Sequence, residues 1–134
     1  CVEAIIAAQT GHMDKAIRYG MAALLMDLAN VGGNVKDGCH IASMGGTWMM
    51  LVYGFGGLRD TDGTLACWPR RAPEDHALFP FPLTSRGQRL EVEVGRETVT
   101  STLREGAGLV LRHATEAMEL TPAQPHTVRP VRRR

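Results

Sequence analysis

Hydrophobic periodicity changes once along this chain, and that change limits the fold to a helical part followed by a β part. Up to about Asp60 apolar residues recur at helical spacing; from about Leu65 they alternate. Between His12 and Leu28 the apolar or small positions are Met13, Ala16, Ile17, Gly20, Met21, Leu24, Leu25 and Leu28, the stripe of an amphipathic helix. Thr10-Gly11 separates it from a short apolar helix beginning at Val2, so the two read as a helical hairpin. Asn30 to Gly38 is a loop by composition. A further helix starts near Ser43 and is apolar almost all round (Met44, Trp48, Met49, Met50, Leu51, Val52, Tyr53) until Gly54, Gly56 and Gly57 end it. Such a helix belongs inside a larger protein, walled by others. On its own the chain is therefore expected to expose Met13, Leu24, Trp48 and Leu51 as an apolar patch.

In the second half Leu90, Val92 and Val94 point one way while Arg89, Glu91 and Glu93 point the other. Gly95-Arg96 reads as a two-residue hairpin turn leading into the Thr-rich, β-favouring run Glu97 to Leu103. After a turn at Arg104-Glu105-Gly106, two more short strands follow at Leu109 to His113 and Ala117 to Leu120. Regular turns of this kind indicate an antiparallel meander within a sandwich or jelly roll. Pro69, Pro73, Pro80 and Pro82 mark the preceding segment as extended coil or edge strand. Asp60-Thr61-Asp62-Gly63 is a turn and the expected domain boundary.

Composition adds exclusions. With 134 residues there is room for one small domain or parts of two. A hydrophobic share of 44% with 22% charged residues is that of a globular protein, and a net charge of +1 gives no reason to expect nucleic acid. Arg129, Arg132, Arg133 and Arg134 crowd the C-terminus and read as a solvated, frayed tail. Cys1, Cys39 and Cys67 form no CxxC pair, so neither a zinc site nor a disulfide framework is indicated, and reduced thiols point to a cytoplasmic protein. No apolar run is long enough to span a bilayer, and the start at Cys1 reads as a cut through a longer protein. His12, His76, His113 and His126 are scattered without ligand spacing.

One constellation carries chemistry. Ser43 suits a helix N-cap, Gly45 and Gly46 leave the backbone open to approach, and His40 lies close enough to share a ligand. With the partial positive charge of a helix N-terminus these groups make an anion site; equally, they make an ordinary cap beside a packed histidine. Spacing alone leaves both readings open.

Asp27-Leu28-Ala29-Asn30, Gly33-Asn34 and Asp37 through Trp48 (D-G-C-H-I-A-S-M-G-G-T-W), followed by Val52 to Asp60 (V-Y-G-F-G-G-L-R-D), resemble family 65 of the glycoside hydrolases. Leu65 to Arg70 and Arg86-Gly87 with Leu90 to Val94 fit the same family, so the resemblance runs from about Val2 to Leu120. It implies an α+β multidomain fragment. Residues 1–60 would be the last helices of an (α/α)6 barrel, and 61–134 a small antiparallel β-sandwich with the basic tail. It also implies an inverting phosphorylase of α-linked glucose disaccharides, with a hydrolase of the same family or a non-catalytic carbohydrate-binding or structural module as alternatives. In phosphorolytic members the loop matching His40 and Ser43 binds inorganic phosphate, which extends the candidates to Gly45, Gly46 and Thr47. The catalytic glutamic acid belongs upstream, and no residue here matches it. No metal and no cofactor beyond phosphate as co-substrate is implied; the partners are a disaccharide and, for the full-length protein, a second copy of itself. Val35, Cys39, Trp68 and Arg71-Ala72 depart from the family's usual residues, the first two where substrate choice could be affected.

Overall fold

The computed structural model describes residues 1–60, 62–70 and 79–131, with Phe79 by its main chain alone. Thr61, Pro73, His76, Arg71-Ala72 and the arginines at 132 to 134 lie outside the described residues. The chain forms two compact units, Cys1–Phe55 and Gly56–Arg134. The Asp60 turn lies within the second unit, between its first two strands.

The first unit contains α1 (Val2–Gln9), α2 (Met13–Leu24) and α3 (Ile41–Met49). Its core is built from small residues. Ala4, Ala8 and Ala16 have no exposed surface, and Gly20 and Ala23 are also buried. A Cβ at Gly20 would stand 2.0 Å from the Met50 sulfur, so absence of a side chain there is what admits Met50. The apolar stripe of α2 is only partly covered: Ala16 and Gly20 lie inside, whereas Met21, Leu24 and Leu28 are exposed. Trp48 and Leu24 are each 46% exposed, while Met13 and Leu51 are half-buried. α3 does not run on as an α-helix. Residues Met50–Phe55 widen into a π-helical turn, the form that accommodates an extra residue per turn. Gly54 there lies 3.5 Å from the Ile5 main chain, measured from an ideal Cβ. Trp48 and Tyr53 meet edge to face across the junction, their centroids 6.4 Å apart.

Among its described residues the second unit holds eight strands in two sheets. One has the order β1 (Leu58–Arg59), β2 (Leu65–Cys67), β6 (Leu109–His113), β7 (Glu116–Leu120). The other runs β3 (Phe79–Ser85), β4 (Gln88–Val94), β5 (Thr98–Glu105), β8 (His126–Pro130). The alternation seen in sequence sets the core. Leu90 faces Leu103, Val92 faces Ser101 and Val94 faces Val99 across β4 and β5, all six buried. Leu111 faces Met118 across β6 and β7. His113 Nε2 lies 3.0 Å from Pro130 O, tying the two sheets together.

Three details differ from the sequence reading. The meander is confined to β3–β4–β5; the chain then crosses to the other sheet, where β6 lies parallel to β2. Alternation specifies which side chains go inward but not which strand is the neighbour. The β4–β5 hairpin turns on Arg96-Glu97, one residue later than expected, because Gly95 N–H donates to Thr98 O at 2.7 Å. β3 is a seven-residue strand that includes Pro80 and Pro82, and it lies at a sheet edge, the edge placement that the prolines implied, where a missing N–H is tolerated. Arg129 is not part of a frayed tail. It belongs to β8 opposite Val99, and its guanidinium donates to Glu116 Oε1 at 3.1 Å. Val131 behind it is buried and donates to Glu97 O.

Cys67 has no exposed surface, and burial pushes its thiol up to about 12, whereas Cys39 is exposed. Alkylation at mildly alkaline pH is therefore expected to label Cys39 at once and Cys67 only after denaturant is added, as read by mass spectrometry of peptides. Equal rates would contradict the closed sandwich. No helix among the described residues is long and apolar enough to cross a membrane.

Candidate functional site

The candidate residues fall at the start of α3. Its N-cap is His40, not Ser43. Ser43 lies one turn inside, where its main-chain N–H donates back to His40 O at 2.8 Å. A serine one turn too late for a cap is free to bond elsewhere, and its hydroxyl donates to Ala23 O at 2.9 Å. That bond joins α3 to the end of α2. His40 and Ser43 thus share one helix end.

The other three candidates diverge. Gly45 is exposed, with open space where a side chain would stand. Gly46 is buried against Cys1, whose sulfur lies 2.4 Å from an ideal Cβ, so this glycine admits the chain's first residue. Thr47 is buried and its hydroxyl donates to Ser43 O at 2.9 Å, a bond within the helix.

Two residues not singled out from sequence complete the arrangement. Asp27, in the turn after α2, accepts twice from His40. Its Oδ2 takes the main-chain N–H at 2.9 Å, and its Oδ1 lies 2.5 Å from ring Nδ1. Asn34, at the head of a short 3-10 turn (Val35–Asp37), places its amide nitrogen 3.0 Å from ring Nε2. The loop carrying Asn34 is itself braced, because the Val35 N–H donates to Asn30 Oδ1 at 3.1 Å. Both ring nitrogens are therefore engaged. The His40 ring and main chain, as donors, hold the Asp27 carboxyl below its ordinary range. The signal that could have found these two was present: both Asp27 and Asn34 lie in the quoted stretch that precedes His40.

Beside this cluster a cavity of about 270 Å3 opens between α2 and α3, lined by Leu24, Met26, Leu28 and Met44 with Asp27 and Ser43 as polar lining. That is close to the lower end of ligand-cleft volumes. Among the described residues no group of three or more His, Cys, Asp or Glu side chains is arranged to hold a metal.

Comparison with known proteins bears on what such a site serves. Residues 1–49 match the glycosyl hydrolase family 65 central catalytic domain and residues 58–120 the C-terminal domain of the same family. An uncharacterised glycosyl hydrolase of Mycobacterium leprae is 42% identical over 96% of this chain. An alpha,alpha-trehalose phosphorylase of Geobacillus stearothermophilus is 37% identical over 93% of it. A solved structure described as a candidate kojibiose phosphorylase from the human microbiome superposes on 95% of the chain with a TM-score of 0.84 at 26% identity. In each case the chain spans 16% of the relative's own length. The helices followed by two β-sheets correspond to the end of that family's helical domain and its β-sandwich. By sequence and by fold, the chain belongs to glycoside hydrolase family 65.

Proposed function

We propose that the full-length protein is an inverting phosphorylase of α-glucosidic disaccharides, in which His40 and the first turn of α3 hold inorganic phosphate. Phosphate oxygen attacks the anomeric carbon, the glycosidic bond breaks on the opposite face, and an acid outside this chain protonates the departing sugar oxygen. The products are β-glucose 1-phosphate and a free sugar. The observation that carries the reading is the joint placement of His40 and Ser43 at one helix N-terminus beside a cavity. Phosphorylases among the relatives support it. Gly45 leaves the backbone open on the exposed side, while Gly46 and Thr47 would act by shaping the helix. Phosphate is the co-substrate, and the reading uses no metal or other cofactor. It places the enzyme in the cytoplasm, as a homodimer.

Hydrolysis is the second reading, since relatives named glycosyl hydrolases are similar over nearly the whole chain. It needs a carboxylate base to activate water. Asp27 is the carboxylate at the site, but both of its oxygens accept from His40 and its carboxyl is held low, which makes it a poor base. This favours phosphorolysis. The test is cleavage of a panel of α-linked glucose disaccharides by the full-length protein with and without phosphate. β-Glucose 1-phosphate, formed only with phosphate, is the expected product. Free glucose at the same rate in both conditions would refute the proposal.

A further inference from the structure

We infer that one end of the β unit is a second binding site, for a monosaccharide that carries one anionic group; it does not depend on the phosphate reading above. A cleft of about 270 Å3 lies there, lined from both sheets. Three turns meet around it: Gly63-Thr64 before β2, Arg86-Gly87 between β3 and β4, and Gly106 to Gly108 between β5 and β6. The alternation that builds the core runs out at this end. Along β3 and β4 Phe81 pairs with Val92 and Leu83 with Leu90, and the next pair in the same row is Ser85 with Gln88. Polar side chains thus stand where the row of core residues would continue. Leu65 and Leu109 of the other sheet add an aliphatic wall. Apolar surface with a few convergent polar groups suits a sugar ring, which has C–H faces and a polar rim.

The cleft is braced by its own side chains. Arg86 donates from Nη2 to Gly63 O, and Gln88 Oε1 accepts from Gly108 N–H at 3.1 Å, so one hairpin ties down the other two turns. A Cβ at Gly106 would stand 1.9 Å from Gln88 Oε1, so glycine there makes room for that amide. Arg86 has φ +50 and Gly87 φ +75, a two-residue turn that Asn-Gly or Gly-Gly forms with less strain. An arginine in that place sets a guanidinium at the cleft. It is the charged residue of the lining, and the neighbouring Asp62 carboxylate is already taken by Arg112 and by the Thr64 N–H. The cleft is therefore positive, with no carboxylate lining it, and a guanidinium fork matches a phosphate ester or a carboxylate. Among the described residues the Thr64 and Ser85 hydroxyls have no partner, so both can donate to and accept from sugar hydroxyls. The lining holds no aromatic ring on which a neutral sugar could stack, so the anionic group supplies most of the affinity.

Titration calorimetry on the full-length protein tests the site, with glucose 6-phosphate and glucuronate as probes and glucose and inorganic phosphate as controls. At least one of the two anionic sugars is expected to bind, and the pair separates a phosphate ester from a carboxylate. His40→Ala should leave this binding intact, whereas Arg86→Gly should weaken it by about ten-fold or more, the loss of a charge-assisted hydrogen bond. Glycine suits a positive φ, so Arg86→Gly keeps the turn. Ser85→Ala removes a hydroxyl without a partner and should weaken binding a few-fold at an unchanged melting temperature. Failure of both sugars to bind at millimolar concentration overturns the inference. So does binding that survives Arg86→Gly, or that is lost in His40→Ala instead, which would assign it to the helical unit. Inorganic phosphate or glucose whose Arg86-dependent binding is as tight as that of the anionic sugars overturns the ligand class. If Arg86→Gly fails to fold, Ser85→Ala decides alone, and an unchanged affinity overturns the site.

Discussion

Gly57→Ala is expected to abolish cooperative folding of the β unit. Gly57 has φ +64, in the left-handed region where any residue with a Cβ is strained by about 1–2 kcal/mol. The larger effect is steric. A Cβ at this position would stand 2.0 Å from the carbonyl oxygen of Trp68 and 2.2 Å from its carbon. Those are main-chain atoms and cannot swing aside as a side chain can. The same two residues are joined by a hydrogen bond from Trp68 N–H to Gly57 O at 2.9 Å, next to the β1–β2 pairing of Leu58 with Cys67. Relief of the clash must therefore pull β1 away from β2. Together these terms put the cost at about 4 kcal/mol or more, in the range where a small domain has little stability left. Thermal unfolding followed by circular dichroism reads the result. Gly45→Ala is the control, since its added methyl meets nothing within 4 Å and Ala favours a helix by up to about 1 kcal/mol. A Gly57→Ala midpoint equal to the wild type would show that the β1–β2 approach is looser than described.

His40→Ala should carry the largest effect on activity. The proposed site gives phosphate one imidazole, and a hydrogen bond to a charged group contributes about 1.5–3 kcal/mol. Removal is therefore expected to lower kcat/KM for phosphate by about ten- to a hundred-fold, most of it in KM. A structural contribution accompanies it, because the His40 ring anchors Asp27. Two readings separate these parts. KM for the disaccharide should change little, and the reverse reaction, from β-glucose 1-phosphate, should fall in parallel with the forward one. A variant that keeps wild-type phosphate KM and loses only thermal stability would reduce His40 to an anchor for Asp27.

The two classes of element were legible because each rests on a local rule. Helical spacing at Met13, Ala16, Ile17 and Gly20, and alternation at Leu90, Val92 and Val94, follow from backbone geometry and are visible within a few residues. The stretch from Asp27 to Trp48 also carried the family resemblance, and with it His40 and Ser43. What tertiary structure alone decided were pairings between distant residues. Nothing in the run Leu65–Cys67 tells that it lies parallel to Leu109–His113, and nothing in His126–Pro130 tells that β5 has an edge for it. The site divides the same way. Sequence placed a histidine and a serine near a helix start. Only the fold put His40 at the N-cap position, turned the Ser43 hydroxyl onto Ala23, and brought Asp27 and Asn34 to the two nitrogens of one ring. The physical reason is range: propensity and periodicity act over a turn or a strand, whereas hydrogen-bond partners of a side chain are chosen by whatever packing brings within 3 Å.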